Sequence, residues 1–204
     1  MWVQVFGSPG SGKEEIVNML TRRGFEHLKP KPLKNQIDSF VGQHRFLSQR
    51  IALDIQAAKV ANRKNIVTVH GTHDTHLVYS KVLLKQERIT QAEFDVLDFL
   101  YQEVSPILEP PNSVVFTKTS EMNASARASL RGATLPPDFR DYFAAYTGLA
   151  GSVKLPMVEV DFDLDMDIIK KDFEFNFASL RTTAVVAQTL WQRDFLRGDR
   201  NDGI

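Results

Sequence analysis

The chain has 204 residues, enough for one α/β domain with a buried core. Lys plus Arg and Asp plus Glu each number 25, so the net charge is zero and nothing draws the chain in bulk to nucleic acid or to an anionic membrane. Cysteine is absent, which excludes a disulfide framework and thiolate metal sites, and no run of about 18 apolar residues offers a membrane span. The first apolar run starts at Trp2 and leaves no room for a leader, so the expectation is an intracellular, cytoplasmic protein. No repeat or low-complexity segment divides it, and one domain over 1–204, with a polar tail at 198–204, is expected.

In chain order, Trp2 to Phe6 reads as a strand, followed by Gly7-Ser8-Pro9-Gly10-Ser11-Gly12-Lys13 and a helical pattern from Glu14 to Arg23. Strand, glycine loop and helix are the context of G-x-x-x-x-G-K, a phosphate-binding loop. Gly7, Ser8, Gly10, Ser11 and Gly12 would turn backbone N–H groups onto a phosphate, and Lys13 would reach the terminal phosphates as a point charge. The competing reading is a Gly/Ser turn that only joins a strand to a helix. After the lysine such a loop places Ser or Thr, whose hydroxyl ligates Mg²⁺. Here the residue is Glu14, with Glu15 beyond it, and the simpler reading is an acidic first turn that matches the helix dipole. The loop therefore keeps its phosphate-binding parts and loses a metal-holding one.

Arg22 and Arg23 close the first helix, with Gly24 as its stop. Phe25 to Leu28 is a second short strand, and Lys29-Pro30-Lys31-Pro32 a loop leaving its end. Ser39 to Asn62 is a long helix with Phe40, Leu47, Ile51, Ile55 and Ala58 on one apolar stripe. Gln43 sits on that stripe as either a buried, satisfied amide or a reader of a ligand. Asn65 to Val69 is the third strand and ends in His70-Gly71-Thr72-His73-Asp74-Thr75-His76, where ligands of open parallel sheets sit. The histidines lack H-x-x-x-H spacing and an obvious fourth ligand, so no metal site is expected; Asp74 is the better candidate, as a general base, with His70 beside it.

Thr90-Gln91-Ala92-Glu93 is a capping box that opens a helix through Phe94, Leu97, Asp98, Tyr101 and Val104, breaking near Pro106. Ser113 to Thr117 is the fourth strand, and Ser120 caps a helix that ends at Leu130-Arg131-Gly132. Arg127 and Arg131 in its last turns suit dipole complementation or a phosphate clamp, and spacing does not separate the two. A helix from about Asp138 to Tyr146 carries Phe139, Tyr142, Phe143 and Tyr146 at core spacing, and Gly148 and Gly151 loosen the next connection. Met157 to Phe162 is the fifth strand, and a closing helix runs from about Asp167 toward Arg197. The alternation predicts an α/β fold with a single doubly wound, parallel, five-stranded sheet flanked by helices.

With these elements placed, the chain resembles the deoxynucleoside kinase family over roughly Val3 to Leu180, which implies the P-loop kinase type of α/β fold. Phe40-Val41-Gly42-Gln43 and Leu47-Ser48-Gln49-Arg50 resemble the family's F-x-x-Q…L-x-x-R helix, whose glutamine bonds the nucleobase; the resemblance makes Phe40, Gln43 and Arg50 candidate substrate residues. Val115 to Glu121 with Arg127 and Arg131 resembles the strand and arginine-rich lid, and Pro156 to Asp161 the last strand. The resemblance implies ATP as the bound nucleotide, a nucleoside or nucleotide as second ligand, and protein contacts or a homodimer through the long helices.

The departures fall on the chemistry. The family's Glu-Pro after the second strand supplies the general base; here the dipeptide is Lys29-Pro30. Its Glu-Arg-Ser at the third strand end serves Mg²⁺ and phosphate; here the strand ends Val69-His70-Gly71-Thr72. Its downstream Asp-Arg faces Asp74-Thr75-His76-Leu77, and a third lid arginine is replaced by Ala133. Losing a positioned base costs about 10²–10⁴ in rate, and losing a transition-state arginine about 10³–10⁵. The resulting expectation is an impaired kinase-like protein that binds nucleotide or works by protein contact, with Mg²⁺ left open. The alternative is an active (deoxy)nucleoside or nucleoside monophosphate kinase with a remodelled site, using Asp74 as base and Glu14 or Asp74 for Mg²⁺. A GTPase-like switch lacks support, since no N-K-x-D follows a strand.

Overall fold

The structure is a computed structural model that describes residues 1–31, 38–70, 77–130, 139–151, 153–179 and 182. β1 (Trp2–Phe6) is buried at all five positions because it runs through the middle of the sheet. β2 (Glu26–Leu28), β3 (Ile66–Val69), β4 (Ser113–Lys118) and β5 (Met157–Asp161) complete a five-stranded sheet in the order β2-β3-β1-β4-β5. Every pairing is parallel, with Val5 opposite Val69 on one side and Val115 on the other. That strand order puts the carboxyl ends of β1 and β3 side by side, which is where the glycine loop and His70 emerge.

Alternate residues of β1 feed opposite layers, as the two-residue period of a strand requires. Val3 and Val5 pack with Ile16, Val17 and Leu20 of α1 (Lys13–Thr21) and with Ile169 and Phe173 of a closing helix, α7, over residues 166–179. On the other face Phe6 joins Val114, Phe116 and Tyr146, while Trp2 joins Leu53 and Ala57. Val114 and Phe116 belong to β4, the other partners come from α2 (Phe40–Ala61) and α6 (Phe139–Ala150), and Val78 of α3 (Val78–Lys85) joins the Phe6 group. Helices cover both faces, so the sheet is doubly wound as expected. Trp2 also donates its indole N–H to Thr68 Oγ1 at 2.9 Å, which satisfies both polar groups inside the layer.

α4 (Gln91–Val104) begins at the predicted capping box, with Thr90 and Glu93 bonded reciprocally. A short 3₁₀ turn, Ser105–Ile107, takes over at Pro106. α5 (Glu121–Leu130) follows β4, and Ser120 accepts from the Asn123 N–H as expected of its cap. Among the described residues no helix is long and apolar enough to cross a membrane.

Three expectations need correction. The buried residues of α2 are Gly42, Gln43, Leu47, Arg50, Leu53, Asp54 and Ala57, and Ile55 is 42% exposed. Beyond Leu47 the buried face lies one residue, about 100°, from the apolar stripe of the sequence. Carbonyl groups at the end of β3 give Arg50 partners, so a polar stripe is buried there in preference to Ile51 and Ile55. α6 runs on to Ala150, so Gly148 lies inside a helix, on its exposed side. Residues 78–85, given no element in the sequence, form α3. The predicted helix end at Arg131-Gly132, the tail at 198–204 and most of the closing helix beyond residue 179 lie outside the described residues.

Candidate functional site

The loop between β1 and α1 is shaped by close approach. Gly10 has φ +76, and a Cβ there would stand 2.4 Å from the carbonyl oxygen of Ala124 in α5. Gly12 has φ +94, and a Cβ there would stand 2.5 Å from the Phe162 ring. Both positions combine a left-handed backbone with contact against another element, so only glycine fits. Ser11 is fully buried, and its Oγ lies 2.6 Å from Thr117 Oγ1. Thr117 donates in turn to the Phe6 carbonyl at 3.2 Å, which makes Ser11 the donor of the pair. Ser8 is also buried, so the serines offer a phosphate their backbone rather than their hydroxyls. Lys13 Nζ donates to the carbonyls of Gly7 and Ser8 at 2.9 and 2.5 Å, curling back over the loop.

The start of α5 is tied to the exit of β5. Asp163 accepts from Thr119 Oγ1 at 2.5 Å, from the Ser120 N–H at 2.7 Å and from Asn123 Nδ2 at 2.8 Å. Partial desolvation opposes its charge, yet these donors hold its carboxyl below the usual range. Arg127 donates to Thr119 Oγ1 at 3.1 Å and to the Phe162 carbonyl, with its guanidinium over the Phe162 ring. Neither reading of Arg127 names this tie between α5 and the β5 exit, and Arg127 is not among the residues lining the cleft described next. Arg131 lies outside the described residues.

Beside the loop opens a cleft of about 510 Å³, lined by Lys13 and Glu14 of α1, His27 and Lys29 at the end of β2, and Arg50 of α2. Arg50 is 9% exposed and donates Nη1 to the carbonyls of Val69 and His70 at 2.5 and 3.0 Å. Its guanidinium lies 4.7 Å from the Phe46 ring centroid. His70 has φ +53, a left-handed conformation that histidine adopts more readily than most side chains. Its Nδ1 lies 3.2 Å from the Tyr146 hydroxyl, and its N–H donates to Val5 at 3.0 Å. Desolvation, with Lys13 and Arg50 nearby, pushes the His70 imidazole well below its ordinary range. Burial and then Lys29 push His27 down as well. Burial raises Tyr79 and Tyr146, which stay protonated and pack as an aromatic group with Tyr142.

Gln43 is 2% exposed and accepts from Ser80 Oγ at 3.2 Å, as a buried amide does. Phe40 packs with the core around Leu77 and Leu83. The structure therefore brings Lys13, Glu14 and Arg50 together in the cleft's lining, which does not include Phe40 or Gln43. Asp74 lies outside the described residues. Nothing in the sequence singles out His27, Thr117 or Asp163, and Lys29 stands out only as a departure from the family's Glu-Pro. Lys29 carried a usable signal, since it follows a strand that ends at the cleft.

Among the described residues, the donor set lacks the Ser or Thr hydroxyl that follows the lysine of a P-loop kinase. Glu14, exposed on α1, is the one carboxylate among the described residues that line the cleft. No group of three His, Asp or Glu side chains assembles among the described residues. The loop itself does suit a nucleotide's phosphates, with glycines that permit close backbone approach and a lysine at its base.

No protein-family model matches the sequence, and no curated protein matches it. Solved structures do. Deoxyadenosine kinase from M. mycoides with bound dATP superposes with a TM-score of 0.70 at 19% identity, covering 89% of this chain and all of that one (100%). The same enzyme with the products dCMP and a flexible dCDP gives 0.71 at 21% identity, and with bound dCTP 0.65 at 19%, over the same shares of both chains. The chain has the deoxynucleoside kinase fold.

Gly10→Ala should cost about 1–3 kcal/mol in urea unfolding, from strained backbone and the Ala124 contact. Gly148→Ala, in an exposed helical position with nothing within 4 Å, should stabilise by about 0.5–1 kcal/mol. Equal effects would contradict the assigned geometry. The histidines predict a pH dependence of opposite sign to a salt-bridged histidine. Their folded pKa values lie below the unfolded value of about 6.5, so the unfolded state binds more protons in acid. The melting temperature should therefore fall as pH drops through about 6.5, and His70→Asn, which tolerates the left-handed backbone, should flatten that fall. A melting temperature that rises on acidification through this window would contradict it.

Proposed function

We propose that this protein binds a nucleoside triphosphate at the Gly7–Lys13 loop and transfers phosphate poorly, or not at all, to a neutral deoxynucleoside. One observation carries the second half. Lys29 lines the cleft at the end of β2, in the dipeptide that matches the family's Glu-Pro, where a kinase of this fold places its base. An ammonium group has three donors and no acceptor, so it cannot take a proton from a sugar hydroxyl. Glu14 in place of the Ser or Thr that holds Mg²⁺ removes a second part. Arg127, spent on Phe162 and Thr119, would have to leave both to reach a transferring phosphate.

The first half is supported by the loop's close-packed glycines and by Lys13, whose ammonium would exchange two carbonyl partners for phosphate oxygens. It is also supported by neighbours of the same fold that bind dATP and dCTP. Bound ATP–Mg²⁺ would supply the transferable phosphoryl group, and the residues described here would orient its phosphates without providing the base.

The test is nucleotide binding and phosphoryl transfer from ATP–Mg²⁺ to a panel of deoxynucleosides. ATP should bind, Lys13→Ala should weaken it, and turnover should fall at least about 10³-fold below the ~1–100 s⁻¹ usual for kinases. Product formed at a kinase-like rate and abolished by both Lys13→Ala and Asp74→Asn would overturn this reading and place the base at Asp74.

A further inference from the structure

The cleft is distinctive in charge rather than shape. Its lining takes Lys13 and Glu14 from α1, His27 from β2, Lys29 from the residue after β2 and Arg50 from α2. We infer that this cleft takes, as its second ligand, a phosphate monoester dianion, and hence a nucleoside 5′-monophosphate in preference to a neutral nucleoside. The inference rests on the nucleotide-binding reading above and names the second ligand's class.

Arg50 carries most of the geometry. The residue is nine-tenths buried, and its Nη1 is committed to the end of β3 through Val69 and His70. Its Nε is buried with no hydrogen-bond partner among the described residues. Asp54, also buried on α2, offsets part of the charge. A buried cation with unspent donors beside a cleft is costly until an anion completes it. The planar guanidinium suits a phosphate's paired oxygens.

Lys29 adds a second charge from an exposed position, where its long side chain can follow a ligand. Together with Lys13, three cationic side chains face one carboxylate in the same cleft. A neutral sugar hydroxyl answers none of that charge, whereas a phosphate dianion answers two of the three cations at once. The depressed pKa of His27, due to burial and to Lys29, reports the same positive field. A dianion bound nearby should move the His27 titration upward.

The experiment is a calorimetric titration of the full chain with a deoxynucleoside, its 5′-monophosphate and inorganic phosphate. The wild type is compared with Lys29→Glu and Lys29→Arg, since Lys29 is exposed and its replacement leaves the core intact. The monophosphate should bind about tenfold more tightly than either other ligand. Lys29→Glu should abolish its advantage over the nucleoside, and Lys29→Arg should keep it. Failure of the monophosphate to bind, equal affinity for the three ligands, or an advantage unchanged in Lys29→Glu would overturn the inference. A separate ATP titration keeps the two readings apart. ATP that fails to bind while the monophosphate preference survives would contradict the loop reading alone.

Discussion

The rest of the site depends on the absence of side-chain volume at two points of one turn. Gly10 lies against the Ala124 backbone and Gly12 against the Phe162 ring, so the loop between β1 and α1 is wedged between α5 and the exit of β5. The same region is fastened by Ser11 on Thr117, by Asp163 on the first residues of α5, and by Arg127 on Phe162. The glycine turn and the start of α5 are therefore one mechanical unit. A close-packed interior transmits small changes of volume, so altering either side should be felt by the other.

Around that unit the described charges of the cleft are mostly positive. Transfer to a hydroxyl asks for an acceptor of its proton and for positive charge on the moving phosphate. This cleft supplies positive charge from three directions and has Glu14 as its sole described carboxylate. At the end of β3, Arg50 is held by the Val69 and His70 carbonyls, and His70 is kept neutral by burial beside Lys13 and Arg50. Such an arrangement favours anionic groups, which supports the proposed phosphate binding. Lys29 has no acceptor, so Glu14 and the His27 imidazole are the described groups in the lining that can take a proton.

The framework was legible in the residues because local signals agreed there with tertiary packing. The five strands, the glycine loop and the Thr90 capping box all stand where spacing placed them. The site was less legible, for two physical reasons. Hydropathy assigns the buried face of a helix to its apolar stripe, but α2 buries Arg50 and Asp54 because strand-end carbonyls satisfy the guanidinium. A side chain's direction also does not follow from its position along the chain. Arg127 stands where spacing allows either dipole complementation or a clamp and points into the β5 exit, while Gln43 turns its oxygen to Ser80. Gly148 is the converse case, a residue whose loop propensity is overruled by the packing of Tyr146 and Ala150 on either side of it.

The account's central claim is that a nucleotide-binding loop persists without the metal and base machinery of transfer. The most direct measurement is the affinity for ATP by calorimetry, once in excess Mg²⁺ and once in chelator. The account predicts binding in both, with dissociation constants within about threefold of each other, because no Ser or Thr follows Lys13 to hold the metal. Absence of binding in either buffer, or a gain of about tenfold or more that requires Mg²⁺, would contradict it.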